Sequence, residues 1–364
     1  MKIISLYLPQ YHTFPENDSW WGTGYTEWVS VKKAQPLYRG HVQPKVPEGG
    51  NYYDLDKDGV ATLMHQAELA KKYGIYGFAI YQYYFKGRTL MEKPLETLLA
   101  HPEIDIKYNL CWANESWTRT WYGLSNQVLM KQEYGDVSDW RDLFEYLLPF
   151  FKDPRYIKID NMPVYQIYKT FDMPCFKEFA EQFNKWALKE GFRGIYFISG
   201  KTAAGEEKRE ACRKLINAYY YFEPGYSLKF ALSKAKKLRY DISVAFNTLL
   251  NKLRPEGKKR LERYVNADWI YSAITNREYA ENEFPGLIPD WDNTPRRSHK
   301  GLVYKGTSPE KFKKALLALK DKTDGHKVDF VYVNAWNEWG EGAYLEPDEY
   351  RGYSYLEAIG EVVG

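Results

Sequence analysis

The chain has 364 residues, more than a β-sandwich or a small α/β domain requires and within the range of one elaborated (β/α)8 barrel. Its net charge of +3 excludes the strong positive field that recruits nucleic acid, and its three cysteines are odd in number and lack metal-ligand spacing, which argues against a disulfide scaffold or a zinc site. The hydrophobic fraction of 44% supplies a large core, and the aromatic fraction of 17% predicts a binding surface lined by rings.

Short runs of β-branched and aromatic residues alternate with longer segments of helical period, as in a parallel sheet wrapped by helices. Eight of these runs are predicted to be strands: 3–8, 77–84, 108–112, 164–168, 194–198, 218–222, 286–291 and 328–333. One helix is predicted to stop at Gly74 and another to cover 309–319 with Ser308 as its N-cap. The sequence therefore predicts an α/β fold: a (β/α)8 TIM barrel with elaborated βα loops, in which 1–364 form a single domain.

Polar and aromatic residues follow the predicted strands, where such a barrel assembles its active site. The segments at the ends of the first, third, seventh and eighth predicted strands hold nine of the chain's 12 tryptophans: Trp20, Trp21, Trp28, Trp112, Trp117, Trp121, Trp291, Trp336 and Trp339. Tryptophans that served only to pack the core would be distributed more evenly along the chain. The concentration indicates a site for sugars, whose apolar ring faces stack on flat aromatic side chains.

The last predicted strand leads into two carboxylates and two indoles within six residues, 336–341. Exchange or cleavage of a glycosidic bond needs one carboxyl to transfer a proton and a second to assist attack at the anomeric carbon. We therefore predict that Glu338 and Glu341 are catalytic. The alternative is a solvated or loop-bracing pair, because charged side chains are mostly exposed.

A second set of residues, also near strand ends, is predicted to bind the substrate. It comprises Tyr7, Gln10, His12, Glu27, Trp28, Tyr83, Trp112, Asn114, Glu115, Trp117, Trp291, Asp292, Trp336 and Asn337. Several have structural alternatives: Asn114 and Glu115 suit a turn cap, Trp28 suits a hydrophobic lid, and Asp292 suits an ion-pair network with the arginine pair that follows it. A single imidazole such as His12 is also more often structural than catalytic.

These motifs together resemble the WbsX-type polysaccharide biosynthesis proteins, which are related to glycoside hydrolase family 99. The resemblance covers nearly the whole chain and rests on segments 7–12, 16–18, 24–28, 111–115, 291–297, 334–339 and 341–347. It implies a (β/α)8 barrel that acts on glycans, often in O-antigen or capsule contexts. Family 99 enzymes are retaining endo-acting α-mannosidases with two glutamates three residues apart. By that likeness Glu338 would deprotonate the sugar 2-hydroxyl and Glu341 would be the general acid/base.

Three function classes remain open. A retaining glycoside-hydrolase-like enzyme for α-linked, mannose-type bonds of a bacterial surface polysaccharide is favoured by the two glutamates and by the lack of a Gly-rich phosphate cradle. A glycosyltransferase of O-antigen, lipopolysaccharide or capsule biosynthesis fits the absence of a signal peptide. A non-catalytic glycan-binding barrel is the third class.

The basic stretch 229–263 bears on the second class, because its 11 Lys or Arg against three Asp or Glu suit contact with a membrane that carries glycan intermediates. A solvated pair of helices is the alternative there. The expected partner is an oligosaccharide or polysaccharide. We expect no nucleic acid, no cofactor and no metal, and the sequence identifies no protein partner. The isolated cysteines and the lack of apolar runs long enough for a membrane span lead us to expect a cytoplasmic protein.

Overall fold

The computed structural model describes residues 1–118 and 127–364, so that Trp121 lies outside the described residues. Eight parallel barrel strands are present: β1 (Lys2–Tyr7), β2 (Ile75–Phe85), β3 (Lys107–Trp112), β4 (Met162–Ile167), β5 (Tyr196–Lys201), β6 (Ala218–Tyr221), β7 (Glu283–Phe284 with Gly286–Leu287) and β8 (Phe330–Val333). All eight predicted strands are confirmed, and their ends differ from the prediction by at most four residues. The predicted α/β class and TIM-barrel architecture are likewise confirmed.

The sheet closes through β7, whose two halves face different neighbours. Glu283 pairs with Tyr219 of β6, and Gly286 pairs with Tyr332 of β8. Pro285 interrupts the strand between them because it has no N–H to donate, yet its carbonyl oxygen still accepts from Tyr332 N at 2.8 Å. On the other side of β8, β1 pairs in parallel with β8 and with β2.

Helices cover the outside of the strands and fill the βα loops. They are α1 (Pro15–Trp21), α2 (Glu27–Lys33), α3 (Gly59–Lys72), α4 (Lys93–Ala100), α5 (Val137–Lys152), α6 (Phe176–Lys189), α7 (Glu210–Arg213), α8 (Lys234–Lys252), α9 (Ala267–Thr275), α10 (Thr294–Arg297), α11 (Pro309–Thr323) and α12 (Ser354–Val363). The predicted glycine stop is confirmed, since Gly74 follows α3 with a φ of 78°. The predicted N-cap is also confirmed, because Ser308 Oγ accepts from Lys311 N.

The loops also contain short segments of regular secondary structure. The extended ones are Arg88–Leu90, Trp117–Thr118, Val128–Met130, Lys158–Ile159, Arg263–Asn266, Leu302–Lys305, Asn337–Glu338 and Ala343–Tyr344. The parallel pair Arg263–Asn266 and Leu302–Lys305 lies outside the barrel sheet. Short 3-10 turns include Ser298–Lys300 and Trp339–Glu341, and a π-turn covers Ser227–Ala231.

The core explains why the strand sequences are mainly apolar. Every residue of β8 is buried, because a parallel strand in a barrel is covered by helices on one side and by the barrel interior on the other. The covering helices turn their apolar stripes inward, as Leu63 and Ala67 of α3 do. Each such aliphatic side chain stabilises the fold by about 1.5–3 kcal/mol when fully buried. The parallel arrangement brings all the carboxyl ends of the strands to one face.

Candidate active site

A cavity of about 250 Å³ opens at the carboxyl ends of the barrel strands. Its lining comes from residues that end or follow the strands: Leu8, Gln10, Tyr81, Tyr83, Ala113, Glu115, Tyr168, Phe222, Trp291, Asn293, Arg296, Arg297, Glu338 and Glu341. Both candidate catalytic glutamates belong to this lining. Five of the lining side chains are aromatic rings, so the cavity combines apolar faces with acidic and basic groups, as expected for a sugar-binding site.

Arg296, on α10, joins three carboxylates from distant parts of the sequence. Its Nε donates to Glu27 Oε1 at 2.7 Å, and its Nη2 donates to Glu338 Oε2 at 2.9 Å. Its Nη1 lies 2.9 Å from Glu341 Oε1. The side chain of Glu27 is wholly buried and that of Glu338 is 9% exposed, whereas Glu341 retains 22%. One planar guanidinium therefore fixes the positions of both candidate catalytic groups.

Two glycines allow the loop after β8 to approach this cluster closely. A Cβ atom on Gly340 would collide with the carboxylate of Glu27 and lie 2.7 Å from Arg296 Nε. Gly342 has a φ of 62°, and a Cβ there would lie 2.9 Å from the backbone of Asp292. The same close packing lets Asp292 N donate to the carbonyl oxygen of Glu341 at 2.7 Å. The glycines between and after the glutamates thus serve the geometry of the site.

Burial raises the pKa of both glutamates. The pKa of Glu338 rises to about 8, because removal from water and the charges of Glu341 and Glu27 together outweigh the opposing effect of Arg296. Burial and the charge of Glu27 also raise the pKa of Glu341 against the effect of Arg296. Because three carboxylates share one guanidinium, we expect Glu338 and Glu341 together to retain a proton near neutral pH. In the described part of the chain, no three His, Cys, Asp or Glu side chains are grouped to hold a metal ion.

The two indoles next to the glutamates in sequence donate hydrogen bonds to a fourth carboxylate, that of the buried Glu346. Trp336 Nε1 donates to Glu346 at 3.1 Å and Trp339 Nε1 donates to it at 2.6 Å. Gln66 and Tyr53 donate to the same carboxylate at 2.7 and 3.1 Å. Burial nevertheless raises the pKa of Glu346 to about 7, against the effect of these hydrogen bonds. Neither indole lines the cavity, so these tryptophans support the loop that carries the glutamates.

Five of the 14 predicted substrate contacts lie at the cavity or next to it. Gln10, Tyr83, Glu115 and Trp291 line the cavity itself. Trp117 lines a small adjoining cleft that shares Gln10 and Tyr83 with it. The indole N–H of Trp291 is buried and has no acceptor among the described residues, so Trp291 contributes its ring, and not this N–H, to the cavity wall.

The remaining nine predicted contacts lie in the framework behind the cavity: Tyr7, His12, Glu27, Trp28, Trp112, Asn114, Asp292, Trp336 and Asn337. Their side chains are buried and bonded to other parts of the protein. Asn337, for example, accepts from Leu8 N at 2.7 Å and donates to Leu8 O at 3.0 Å, which ties the loop after β8 to the end of β1. Asp292 accepts from Gln43 and Thr294 and contacts His41 Nε2 at 2.7 Å. Because these groups are already satisfied, they shape the cavity without lining it.

Sequence reasoning missed several lining residues as site members, namely Tyr81, Tyr168, Phe222, Arg296 and Arg297. A signal existed for two of them, since Tyr168 and Phe222 are the final residues of two predicted strands. For Arg296 the sequence offered either an ion-pair network with Asp292 or a ligand clamp. Its actual partner Glu27 lies 269 positions away in the chain.

Solved structures of other proteins share this fold. A glycoside hydrolase-like protein has a TM-score of 0.60 at 13% identity, and the match covers 100% of this chain and 93% of that one. The GH99 endo-alpha-mannosidase from Bacteroides thetaiotaomicron has a TM-score of 0.53 at 14% identity, with 99% and 96% covered. At these identities the likeness concerns the fold alone.

The sequence comparisons concern the family. An uncharacterized protein, WxcX, from Xanthomonas campestris pv. campestris is 32% identical over 371 residues, and the match covers 98% of this chain and 48% of WxcX. The chain thus spans about half the length of the curated relatives it matches. The family model described as glycosyltransferase WbsX matches residues 3–359. The chain therefore belongs to the WbsX glycosyltransferase family, which confirms the resemblance stated from its motifs.

Proposed function

We propose that this protein is a retaining, glycoside-hydrolase-like enzyme that acts on α-linked, mannose-type bonds of a bacterial surface polysaccharide or O-antigen, with residues 1–364 acting as one domain. The main support is the joint position of Glu338 and Glu341, which line one aromatic cavity and pair with the same guanidinium. The cysteines Cys111, Cys175 and Cys212 are all free, which agrees with the reducing, cytoplasmic location that we also propose.

In the proposed first step the sugar itself supplies the nucleophile. Glu338 removes the proton of the 2-hydroxyl, and the 2-oxygen forms a bond to the anomeric carbon while the glycosidic bond breaks. Glu341 delivers its proton to the departing oxygen. In the second step water attacks the anomeric carbon, Glu341 accepts the proton from water, and Glu338 returns a proton to the 2-oxygen. Two inversions at the same carbon give net retention.

The raised pKa values of the two glutamates suit this division of work. A carboxyl group with a pKa near 8 is a stronger base than an exposed glutamate, and a carboxyl with a raised pKa keeps its proton for donation. The first step needs Glu338 without its proton and Glu341 with one. Because the two groups titrate as a coupled pair, we propose that the bound sugar hydroxyl, by hydrogen bonding to Glu338, shifts the proton to Glu341.

The cavity wall supplies the contacts that would hold a sugar ring in place. Tyr168 and Phe222 pack edge to face with ring centroids 4.9 Å apart and form an apolar surface. Trp291 adds a third ring, and Gln10 and Glu115 add polar groups to the lining. Such a mixture of ring faces and a few directed polar groups fixes the orientation of a bound sugar.

Glycosyl transfer is the second candidate, and membership of the WbsX glycosyltransferase family favours it. The same two carboxylates serve both outcomes, since only the second step differs. A hydroxyl group of an acceptor glycan would replace water, and Glu341 would accept its proton. The substrate in that case is a glycan of O-antigen, lipopolysaccharide or capsule assembly.

The test compares wild type with Glu341→Gln and Glu338→Gln on α-linked mannose oligosaccharides, with and without an acceptor sugar. We expect wild type to release reducing sugar or to form an elongated product, and either substitution to lower kcat by about 10²–10⁴-fold. Glu178→Gln is the control, because this carboxylate is exposed on α6 and does not line the cavity. Glycan binding without turnover, unchanged in both glutamate variants, would contradict an enzymatic role and favour a glycan-binding barrel.

A further inference from the structure

Helix α8 carries its large apolar side chains on the outside of the protein. Leu238, Ile242, Phe246 and Leu249 are 61, 61, 59 and 58% exposed, and Leu253 at the C-cap is 80% exposed. At 3.6 residues per turn these five side chains project within an arc of about 80°. Single exposed leucines are common on protein surfaces, but a continuous stripe over four turns marks an interaction surface.

The face of α8 that contacts the protein carries polar side chains that form hydrogen bonds, beside the half-buried Tyr240, which packs against the core. Asn247 Nδ2 donates to the carbonyl oxygen of Glu262 at 3.1 Å, and Thr248 Oγ1 donates to the carboxylate of Glu262 at 3.1 Å. Asn251, the one buried residue of the helix, donates to the carbonyl oxygen of Arg260 at 2.6 Å and accepts from Arg260 N at 3.0 Å. These hydrogen bonds fix the rotation of the helix with its apolar stripe outward.

Basic residues flank the stripe on both sides. Lys234 and Lys252 project along one edge, and Arg239 projects along the other. Lys236 and Arg239 also lie over the ring of Trp269, with their charged groups 5.7 and 5.8 Å from the ring centre. An apolar centre with cationic edges and a neighbouring indole is the pattern of helices that lie in the plane of an anionic bilayer.

The helix is connected to the wall of the candidate active site. Glu262 N donates to the carbonyl oxygen of His299 at 2.9 Å, and the strand Arg263–Asn266 pairs with Leu302–Lys305. The cavity residue Asn293 in turn donates through its backbone N to Leu302 O at 3.2 Å. A surface that binds α8 would therefore lie close to α10, the short helix that carries Arg296.

We propose that α8 docks the protein onto an anionic lipid surface, with the helix axis in the plane of the membrane and the five apolar side chains inserted between the lipids. The 19 residues of α8 form a helix about 28 Å long. Within the part of the chain that the structure describes, no helix is long and apolar enough to cross a bilayer, so α8 lies on the surface. Charge complementarity selects the lipid: the stretch 229–263 carries 11 Lys or Arg and three Asp or Glu.

The test measures co-sedimentation of the full chain with phosphatidylcholine vesicles that contain either no phosphatidylglycerol or about 30% of it. We expect at least tenfold tighter binding to the anionic vesicles, with a decrease at high salt. The triple variant Leu238→Ser, Ile242→Ser, Phe246→Ser is expected to lower this binding at least tenfold. The control variant Leu188→Ser, Leu317→Ser removes exposed leucines from other helices and is expected to bind as wild type. All five substituted side chains are exposed, and an unchanged melting temperature verifies the fold.

Wild-type protein that stays in the supernatant with anionic vesicles would overturn the proposal, as would a triple variant that still binds them. If sedimentation equilibrium instead reveals a dimer that the triple variant abolishes, and no vesicle binding occurs, the stripe is a contact between two copies of the chain. Neither measurement depends on sugar turnover. Failure of membrane docking therefore leaves the proposed catalytic role standing, and the reverse also holds.

Discussion

Replacing Arg296 by methionine removes the guanidinium that three carboxylates share. Breaking a buried ion pair by deleting one partner lowers the free energy of unfolding by about 3–5 kcal/mol, because the remaining charge stays buried without compensation. Glu27 and Glu338 meet this condition, whereas Glu341 is partly exposed and adds less. We therefore expect Arg296→Met to lower the free energy of unfolding by about 3–5 kcal/mol at pH 8.

The loss is expected to depend on pH in a definite direction. A carboxyl whose pKa is raised in the folded state contributes stability below its unfolded pKa, and this contribution is lost as the pH rises through the folded pKa, about 8 for Glu338. Without Arg296 the pKa values of Glu338 and Glu341 rise further, so these two carboxyls are protonated and uncharged at low pH. The loss in the variant should be about half as large at pH 5.5 as at pH 8.

Urea unfolding at pH 5.5 and pH 8.0, followed by tryptophan fluorescence, measures both quantities. The control is Arg297→Met, the next residue of α10, whose guanidinium forms no carboxylate ion pair within the described residues; we expect a loss of about 1 kcal/mol or less. An Arg296→Met loss equal to that of the control, or one independent of pH, would refute the electrostatic account of the cluster.

Three further substitutions probe the surroundings of the cluster. Because the pKa of Glu346 is raised to about 7, its contribution to stability is lost as the pH rises from about 4.5 through 7. Glu346→Gln should therefore remove about 3 kcal/mol of the pH dependence of the free energy of unfolding, measured in urea between pH 5 and 8. An unchanged slope of this free energy against pH would contradict the expectation. Gly340→Ala should destabilise the protein by about 1–3 kcal/mol because its Cβ meets Glu27, whereas Gly257→Ala, where nothing lies within 4 Å, should have little effect; equal melting temperatures would contradict the packing argument. Trp291→Ala should weaken glycan binding to Glu341→Gln protein by about tenfold in calorimetry because the ring that lines the cavity is lost, and unchanged affinity would remove Trp291 from the binding surface.

The fold was predictable because its signal is local. Strands buried on both faces appear in the sequence as short, continuous apolar runs, and all eight were recognisable. The largest error in position came at β7, where the prediction of 286–291 extended past the sheet. Pro285 divides the real strand, and residues 288–291 leave the sheet toward the loop after β8, to which Asp292 is bonded. That contact joins two distant loops and has no local signal.

The candidate site was predictable only in part. The rule that strand ends form the site identified Glu338, Glu341, Tyr83 and Trp291, all of which line the cavity. It also selected residues such as Trp112, which is buried and donates through Nε1 to Tyr84 O. Residues near a strand end alternate in direction, and the sequence does not tell which of them reach the cavity.

The surface of α8 was likewise predictable only in part. The sequence revealed the excess of basic residues in 229–263 and left open whether this stretch contacts a membrane or forms a solvated pair of helices. Apolar residues at helical spacing normally indicate a buried face. Only the tertiary hydrogen bonds of residues such as Asn251 reveal that this stripe faces outward. The rest of this stretch forms a π-turn at Ser227–Ala231, a 3-10 turn at Glu256–Lys258 and the start of the strand Arg263–Asn266, so the structure has one α-helix there and not a pair.

The most direct test of the proposed catalytic role is a crystal structure of Glu341→Gln protein with an α-linked mannose oligosaccharide bound. The account predicts a sugar ring in the cavity between Tyr168, Phe222 and Trp291, with its 2-oxygen within hydrogen-bond distance of the Glu338 carboxylate and its glycosidic oxygen beside residue 341. A sugar that binds outside this cavity, or one whose 2-oxygen faces away from Glu338, would contradict it.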